Sequence, residues 1–259
     1  MTAYYNEIDP VAAEWLRNLI SKDLIAPGDV DERDIKDVKP NELFRYTQCH
    51  FFAGIGIWSL ALRARGWPDD RPVWTGSAPC QPHSGAASER AKGFADERDL
   101  FPVWFDKIEN QQPIIVLGEQ VDDSAAWISR TQDFFKRTGY AFGAVDFPAC
   151  AAGAPIERMR TYFVAFSNCS GQRQQSWPLT MAPEYMAIER PSGSSFYGDH
   201  RETGELGRIR RVKPGLRLLA DGYPGRVAEL RAFGNAINGE AAKSFIGAVM
   251  NIETDWRRS

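Results

Sequence analysis

Cys49-His50-Phe51-Phe52-Ala53-Gly54-Ile55-Gly56 reads as a buried strand, Cys49 to Ala53, running into a glycine turn. Ser59, Leu60, Leu62 and Arg63 then carry a helix away from it. Glycines at such a junction let backbone approach a ligand closely, and the first turn of the helix offers N–H groups. The next β-prone run is Val73-Trp74-Thr75-Gly76-Ser77, and Pro79 ends it, leaving Cys80 on the loop at its carboxyl end. In an open α/β sheet that edge is where ligands bind.

Working outward, the pattern alternates. A helix is expected from Asp9 to Ile20, with Pro10 near its start, and Ala26-Pro27-Gly28 breaks it. Asp34 to Val38 is a short strand or turn. After Cys80 comes a polar loop from Ser84 to Asp99, long enough to be a lid or binding loop. A helix from Leu100 to Glu109 leads to the strand Ile114–Leu117, which ends at Gly118-Glu119-Gln120. A helix follows from Ala125 to Thr138, then strands over Tyr140–Phe147 and Thr161–Phe166. Such alternation predicts an α/β fold, a mostly parallel sheet with helices on both faces. Ser167 to Gly207 is rich in Ser, Gly, Gln and Pro without a period, and reads as a small irregular insertion. Leu216–Ala220 and a helix over Gly239–Asn251 return the chain to the core. The expected division is 1–166, 167–212 and 213–259.

Composition narrows the class. With 259 residues, 43% hydrophobic and eight Trp, the chain can bury a large core. No apolar run approaches the roughly 20 residues of a membrane span, and the N-terminus lacks the marks of a secretory leader. Cys49, Cys80, Cys150 and Cys169 form no Cys-x-x-Cys pair, and His50, His83 and His200 are dispersed. That speaks for a reducing, cytoplasmic setting and against a metal site. A net charge of −3 gives no overall pull toward nucleic acid. From Arg201 to Arg231, however, eight basic residues face four acidic ones, a stripe able to neutralise phosphates.

Three constellations carry chemistry. Glu7, at a strand end before the Pro10 helix, suits the two hydroxyls of a ribose and joins the glycine turn in a nucleoside site. Cys80 and Glu119, each at a strand's carboxyl end, would pair a nucleophile with an acid. Arg158 and Arg160, at i and i+2 before a strand, point the same way and suit phosphate or carboxylate. Taken singly, each has a plainer reading: a tight turn, a packed thiol, a surface carboxylate, two solvated arginines.

Together these segments resemble the DNA cytosine-5 methyltransferases. His50-Phe51-Phe52-Ala53-Gly54-Ile55-Gly56 is similar to DLFAGxG, Ala78-Pro79-Cys80-Gln81-Pro82 to PPCQ, and Gly118-Glu119-Gln120-Val121 to ENV. Arg158-Met159-Arg160 matches the end of QxRxR, and Gly234-Asn235-Ala236-Ile237 matches GNA. His50, Gln120, Ile156 and His83 depart from the usual Asp, Asn, Gln and Phe. The order departs too: Glu7-Ile8-Asp9-Pro10 and Asp34-Ile35-Lys36-Asp37-Val38 precede the glycine loop, whereas the family places them after it. The first two sheet units are therefore expected ahead of the third, with the glycine-loop and Cys80 strands as neighbours joined by one crossover.

The resemblance implies a Rossmann-like, S-adenosylmethionine-dependent fold in a compact, phage-like or mobile-element-like member. It implies that Phe52, Ala53, Gly54, Ile55, Gly56 and Pro79 line the cofactor, with Glu7 and Ile8 at its ribose. Asp34 and Ile35 would stand at the adenine, with Asp29 the competitor for that place, and Asn235 and Ala236 would brace the pocket. Cys80 would add to C6 of a cytosine turned out of duplex DNA, and Glu119 would act at N3. Arg158 and Arg160 would hold Glu119 or the target phosphate. Gln81, Ser84, Arg90, Lys92, Arg208, Arg210 and Arg211 would contact DNA, with 167–212 as a small target-recognition region. The expected state is a monomer without metal or membrane. A tRNA cytosine-5 methyltransferase and a catalytically silent DNA-binding relative stay open as alternatives.

Overall fold

The computed structural model describes residues 2–78, 99–121, 125–154, 158–167, 201–203, 209–211 and 237–258. The chain opens with strand β1 (Ala3–Asn6), helix α1 (Pro10–Ser21) and strand β2 (Gly28–Asp31). Asp9 caps α1, its carboxylate accepting from the N–H groups of Val11 and Ala12, and Pro10 sits where no intrahelical N–H is needed. Strand β3 (Gln48–Phe51) leads through the glycine loop into α2 (Ile57–Ala64), then β4 (Val73–Gly76). After α3 (Phe101–Gln111) come β5 (Ile115–Val121), α4 (Ala125–Arg137), β6 (Tyr140–Pro148) and β7 (Met159–Ser167). Helix α5 (Gly239–Arg258) ends the described chain.

The sheet has seven strands in the order β2-β1-β3-β4-β5-β7-β6. From β2 to β5 every pairing is parallel, while β7 is antiparallel to both β5 and β6. The units carrying Glu7 and Asp34 do precede the glycine-loop unit in the chain, yet they occupy the sheet positions beside it. The reordering expected from the motifs is present, and β3 and β4 are parallel neighbours.

Strands β1, β3 and β4 are buried throughout, as a parallel sheet covered on both faces requires. Alternate residues serve opposite faces. Cys49, Phe51, Trp74, Val116 and Phe163 pack with Trp104 and Phe105 of α3 and Phe135 of α4. Val73, Leu117, Tyr162 and Val164 pack with Leu62 of α2 and Phe245 of α5, and Tyr5 packs with Leu16 of α1. Phe105 and Phe134 stack at 4.1 Å, so α3 and α4 share one aromatic core.

Several details depart from the sequence reading. The break at Ala26-Pro27-Gly28 opens β2, an edge strand whose alternating Asp29 and Asp31 conceal it. Of the strand and the turn left open for Asp34–Val38, the turn is what forms: Asp34 caps a 3-10 turn over Ile35–Asp37. Glu119 lies inside β5 and not beyond its end, and Arg160 lies inside β7. Helix α5 runs past Asn251. Arg201–Thr203, inside the stretch read as irregular, pairs with Ile209–Arg211 just beyond it as an antiparallel two-stranded sheet, β8 and β9. The expected elements over Leu216–Ala220 and most of the Ser84–Asp99 loop lie outside the described residues.

Gly118 leaves room for the ring of Phe163, because a Cβ there would sit 2.1 Å from Cε1 of that ring. Gly118→Ala is expected to lower stability by about 1–3 kcal/mol in urea unfolding, as overpacking does in a filled core. An unchanged midpoint would show that the ring is not seated over the strand.

Candidate active site at the carboxyl edge of the sheet

Parallel pairing brings the carboxyl ends of β1, β3, β4 and β5 to one edge. Because β7 runs the other way, its first residues reach that same edge beside the end of β5. Glu7, the glycine loop, Ser77, Glu119, Arg158 and Arg160 therefore converge although more than 150 positions separate the first from the last.

Glu7 ties the loop down. Its Oε2 accepts from the Gly54 N–H at 2.7 Å and its Oε1 from the Asp9 N–H at 2.9 Å. Burial pushes its carboxyl up from the ordinary value, and those two N–H groups pull it back. Phe52 and Gly54 have φ of 52° and 54°, and Gly56 has 81°. A left-handed Phe is costly, so the loop is held in a shape that ordinary backbone avoids. Phe52, Ala53, Gly54 and Ile55 are half-buried where the strand before them is sealed. Ile8 stands 62% exposed beside Glu7, an apolar side chain open at a binding edge.

Of the two carboxylates weighed for the adenine, Asp34 follows the carboxyl end of β2, its Oδ1 accepting from the Lys36 N–H at 3.0 Å. Asp29 is the second residue of β2, toward the far edge, and accepts from the Tyr46 hydroxyl at 2.7 Å. Ile35 is buried in the core cluster beneath the turn.

Glu119 is 7% exposed, and Arg160 Nε donates to its Oε1 at 2.9 Å. Burial pushes the Glu119 carboxyl up; the Arg160 and Arg158 guanidiniums and a hydrogen bond from Ser77 act against that. Burial, reinforced by repulsion from Arg160, lowers the pKa of Arg158. Its Nε is buried without a hydrogen-bond partner among the described residues. The Tyr162 hydroxyl, opposite Glu119 in register, is likewise buried and unpartnered.

Two departures from the family pattern find local explanations. His50 is buried, shares a 2.8 Å hydrogen bond through Nδ1 with Thr75 and stacks on Tyr5 at 4.9 Å. Burial pushes its pKa down to about 3, so the imidazole is neutral and serves the core. Gln120 reaches with Nε2 to the Ala78 carbonyl at 3.4 Å, a long contact that steadies the chain just before Pro79.

Cys80, Pro79, Gln81, Ser84, Arg90, Lys92, Arg208, Asn235 and Ala236 lie outside the described residues. Arg210 and Arg211 are on β9, where only the backbone is described. Among the described residues no group of His, Cys, Asp or Glu is arranged to hold a metal ion. Trp58, Ser77 and Tyr162 were not singled out from sequence. Their proximity to Glu119 comes from the sheet and helix packing, although the β7 alternation that carries Arg160 inward also carries Tyr162.

This sheet order, with one reversed strand next to the last and a glycine loop at the carboxyl edge, is that of a Rossmann-like methyltransferase. The family model of C-5 cytosine-specific DNA methylases matches residues 67–203, more than half of the chain, and the chain belongs to that family. The match includes Cys80, Glu119, Arg158 and Arg160. Among solved structures, the Dnmt2 methyltransferase of S. pombe aligns at 15% identity and TM-score 0.47, over 97% of this chain and 99% of that one. A DNMT2 mutant of Spodoptera frugiperda aligns at 16% identity and TM-score 0.44, over 68% of this chain and 46% of that one. A DNA modification methyltransferase described as encoded within an E. coli prophage aligns at 16% identity and TM-score 0.34, over 68% and 49%. This chain thus spans less than half of the latter two. No curated protein matches.

Glu7→Ala leaves the N–H groups of Gly54 and Asp9 without their acceptor. With the loop only half-buried, the loss is expected at the lower end of the range for unsatisfied donors, about 1–2 kcal/mol in thermal unfolding. Glu7→Gln, which keeps an acceptor oxygen, is expected to lose less.

Proposed function

We propose that the chain transfers a methyl group from S-adenosylmethionine to C5 of cytosine in duplex DNA, through a covalent adduct of Cys80 at C6 of a base turned out of the helix. The observation that carries this reading is the buried Glu119–Arg160 pair, one strand over from the strand whose continuation bears Cys80. Burial raises the Glu119 carboxyl, the direction that an acid acting at a ring nitrogen needs.

The glycine loop fits the cofactor. A Cβ built at Gly54 meets only the Phe52 carbonyl oxygen, at 4.0 Å, so there is open space over the loop. Phe52, Ala53, Gly54, Ile55 and Gly56, with Pro79, would line its methionine side. Each Glu7 oxygen keeps a lone pair for a ribose hydroxyl beside Ile8. Asp34 would take the adenine amino group, with Ile35 beneath it, a reading supported over Asp29 because Asp34 follows the carboxyl end of β2. Bound there, S-adenosylmethionine supplies an electrophilic methyl group.

The chain's own part begins at Cys80. Its thiolate adds to C6, the C5–C6 π pair shifts to make C5 nucleophilic, and Glu119 gives a proton or hydrogen bond to N3. Once C5 carries the methyl group, a base takes the C5 proton and the electron pair left behind expels the Cys80 sulfur, restoring the ring. Arg160 holds Glu119, and Arg158 is left to meet the target nucleotide. Asn235 and Ala236 brace the pocket. Gln81, Ser84, Arg90 and Lys92 close over the base, while Arg208, Arg210 and Arg211 in the 167–212 region contact the duplex. The protein acts as a monomer.

A duplex pool carrying 5-fluorocytosine, incubated with S-adenosylmethionine, is expected to yield an adduct that survives denaturing electrophoresis, because fluorine blocks release of the C5 substituent. Cys80→Ser should give none. Adducts on tRNA but not on the duplex pool would sink the DNA assignment; adducts with Cys80→Ser would sink the nucleophile.

A further inference from the structure

Behind Glu119 lies a chain of hydrogen bonds that the sequence motifs do not contain. Trp58 sits on α2, the helix that the glycine loop opens, and is 4% exposed. Its indole Nε1–H donates to Ser77 Oγ at 3.1 Å. Ser77 directly follows β4, where Gly76 pairs with Gly118, so its hydroxyl lies beside the Glu119 carboxyl and favours its charged form. The edge of the Trp58 ring system also meets Tyr162, with centroids 6.2 Å apart.

The chemistry of the three groups fixes the direction. An indole N–H only donates, so Ser77 Oγ accepts from Trp58 and turns its single proton to the neighbouring carboxylate. Arg160 also only donates, and it holds Oε1. The charged Glu119 thus has two donors against it; Arg160 can take nothing back, and Trp58 already occupies one of the two Ser77 lone pairs. The Tyr162 hydroxyl across the ladder makes no hydrogen bond among the described residues. When Glu119 is protonated, neither Arg160 nor Trp58 can accept its O–H, which favours turning that proton toward the carboxyl edge. The groups that face the carboxyl are Arg158 just before β7, Arg160 and Tyr162 from β7, Ser77 from the end of β4 and, through Ser77, Trp58 from α2; Cys80 lies outside the described residues.

We propose that Trp58 and Ser77 are positioning residues for Glu119, the indole locking the serine as a donor so that the acid presents its own proton to the substrate. This rests on the proposed role of Glu119. It also links the helix of the cofactor loop to the acid through two side chains.

Two measurements test it, one of which needs no turnover. In protein labelled with 15N-tryptophan, the Trp58 indole signal, assigned by its loss in Trp58→Phe, should move with pH as Glu119 titrates. It should stand still in Glu119→Gln and in Ser77→Ala. A wild-type signal that ignores pH, or one that titrates equally in Ser77→Ala, overturns the proposal. The second measurement is the pH profile of kcat. Ser77→Ala removes a donor that favours the charged carboxylate, so Glu119 titrates higher. If the protonated acid is the active form, the high-pH limb moves up with it. Trp58→Phe frees Ser77 to accept the acid's proton and should lower kcat about fivefold, the worth of one net hydrogen bond, with KM for S-adenosylmethionine unchanged. Ser77→Ala/Trp58→Phe should be no worse than Ser77→Ala alone. Additive losses with an unmoved limb would mean simple packing and end the proposal. If the indole titrates but no adduct forms on any nucleic acid, the positioning chain stands and the methyltransferase reading fails.

Discussion

The parallel pairing of β3 with β1 on one side and β4 on the other holds the molecule together as a site. Asn6 lies opposite Phe51, and Phe51 opposite Gly76, so three strands end level. Whatever follows each strand then emerges at one edge: Glu7, the glycine loop, Ser77. The strands are short and buried on both faces, and alternate side chains have no freedom to change sides. A slip of one residue would send Tyr5 and His50 to the aromatic face of α3 and α4 and Phe51 to the other. Register is therefore what the hydrophobic core specifies most strongly, and the edge geometry follows from it.

That same constraint explains why the chain order can change without disturbing the site. A parallel sheet asks only that each strand be reached from its amino end. Here β2 connects to β3 through two 3-10 turns. Val38 and Leu43 from that connection pack into the α3 and α4 core. Arg33 bridges Asp31 and Glu42 across the connection, although exposed ion pairs of this kind contribute little by themselves. Closing a loop costs an amount that grows only slowly with its length, so the reordered path is cheap relative to the burial it preserves.

Much of this was legible in the chain. Gly54 and Gly56 between an apolar run and a helical period announce the loop, and Asp9-Pro10 announces the start of α1, which places Glu7 at a strand end. Adjacent motifs in an unusual order foretold the sheet order as well. What escaped was of two kinds. Gly28-Asp29-Val30-Asp31 offers one apolar residue in four, because an edge strand buries little, and so β2 left no hydrophobic signature. Trp58 and Ser77 escaped for a different reason: their contact joins a helix face to a strand end across the sheet, and nothing in local periodicity encodes it. The reversed β7 also mattered, since the arginines were read as preceding a strand and Arg160 in fact uses the strand's alternation to face Glu119.

Glu119 shows why such a site cannot be built from one good interaction. A lone buried carboxylate would be penalised by several kcal/mol and would simply take up a proton. A carboxylate fully paired with Arg160 would hold its charge and give up nothing to a substrate. The arrangement lies between these limits: burial raises the pKa, Arg160 and Ser77 lower it, and Arg158 adds charge without a hydrogen bond of its own to the acid. Two unsatisfied polar groups, Arg158 Nε and the Tyr162 hydroxyl, remain beside it. Buried polar atoms are rarely left without partners in a folded protein. Of the six such atoms among the described residues two lie beside the acid, so its surroundings combine burial, charge and unmet hydrogen-bonding capacity in one place.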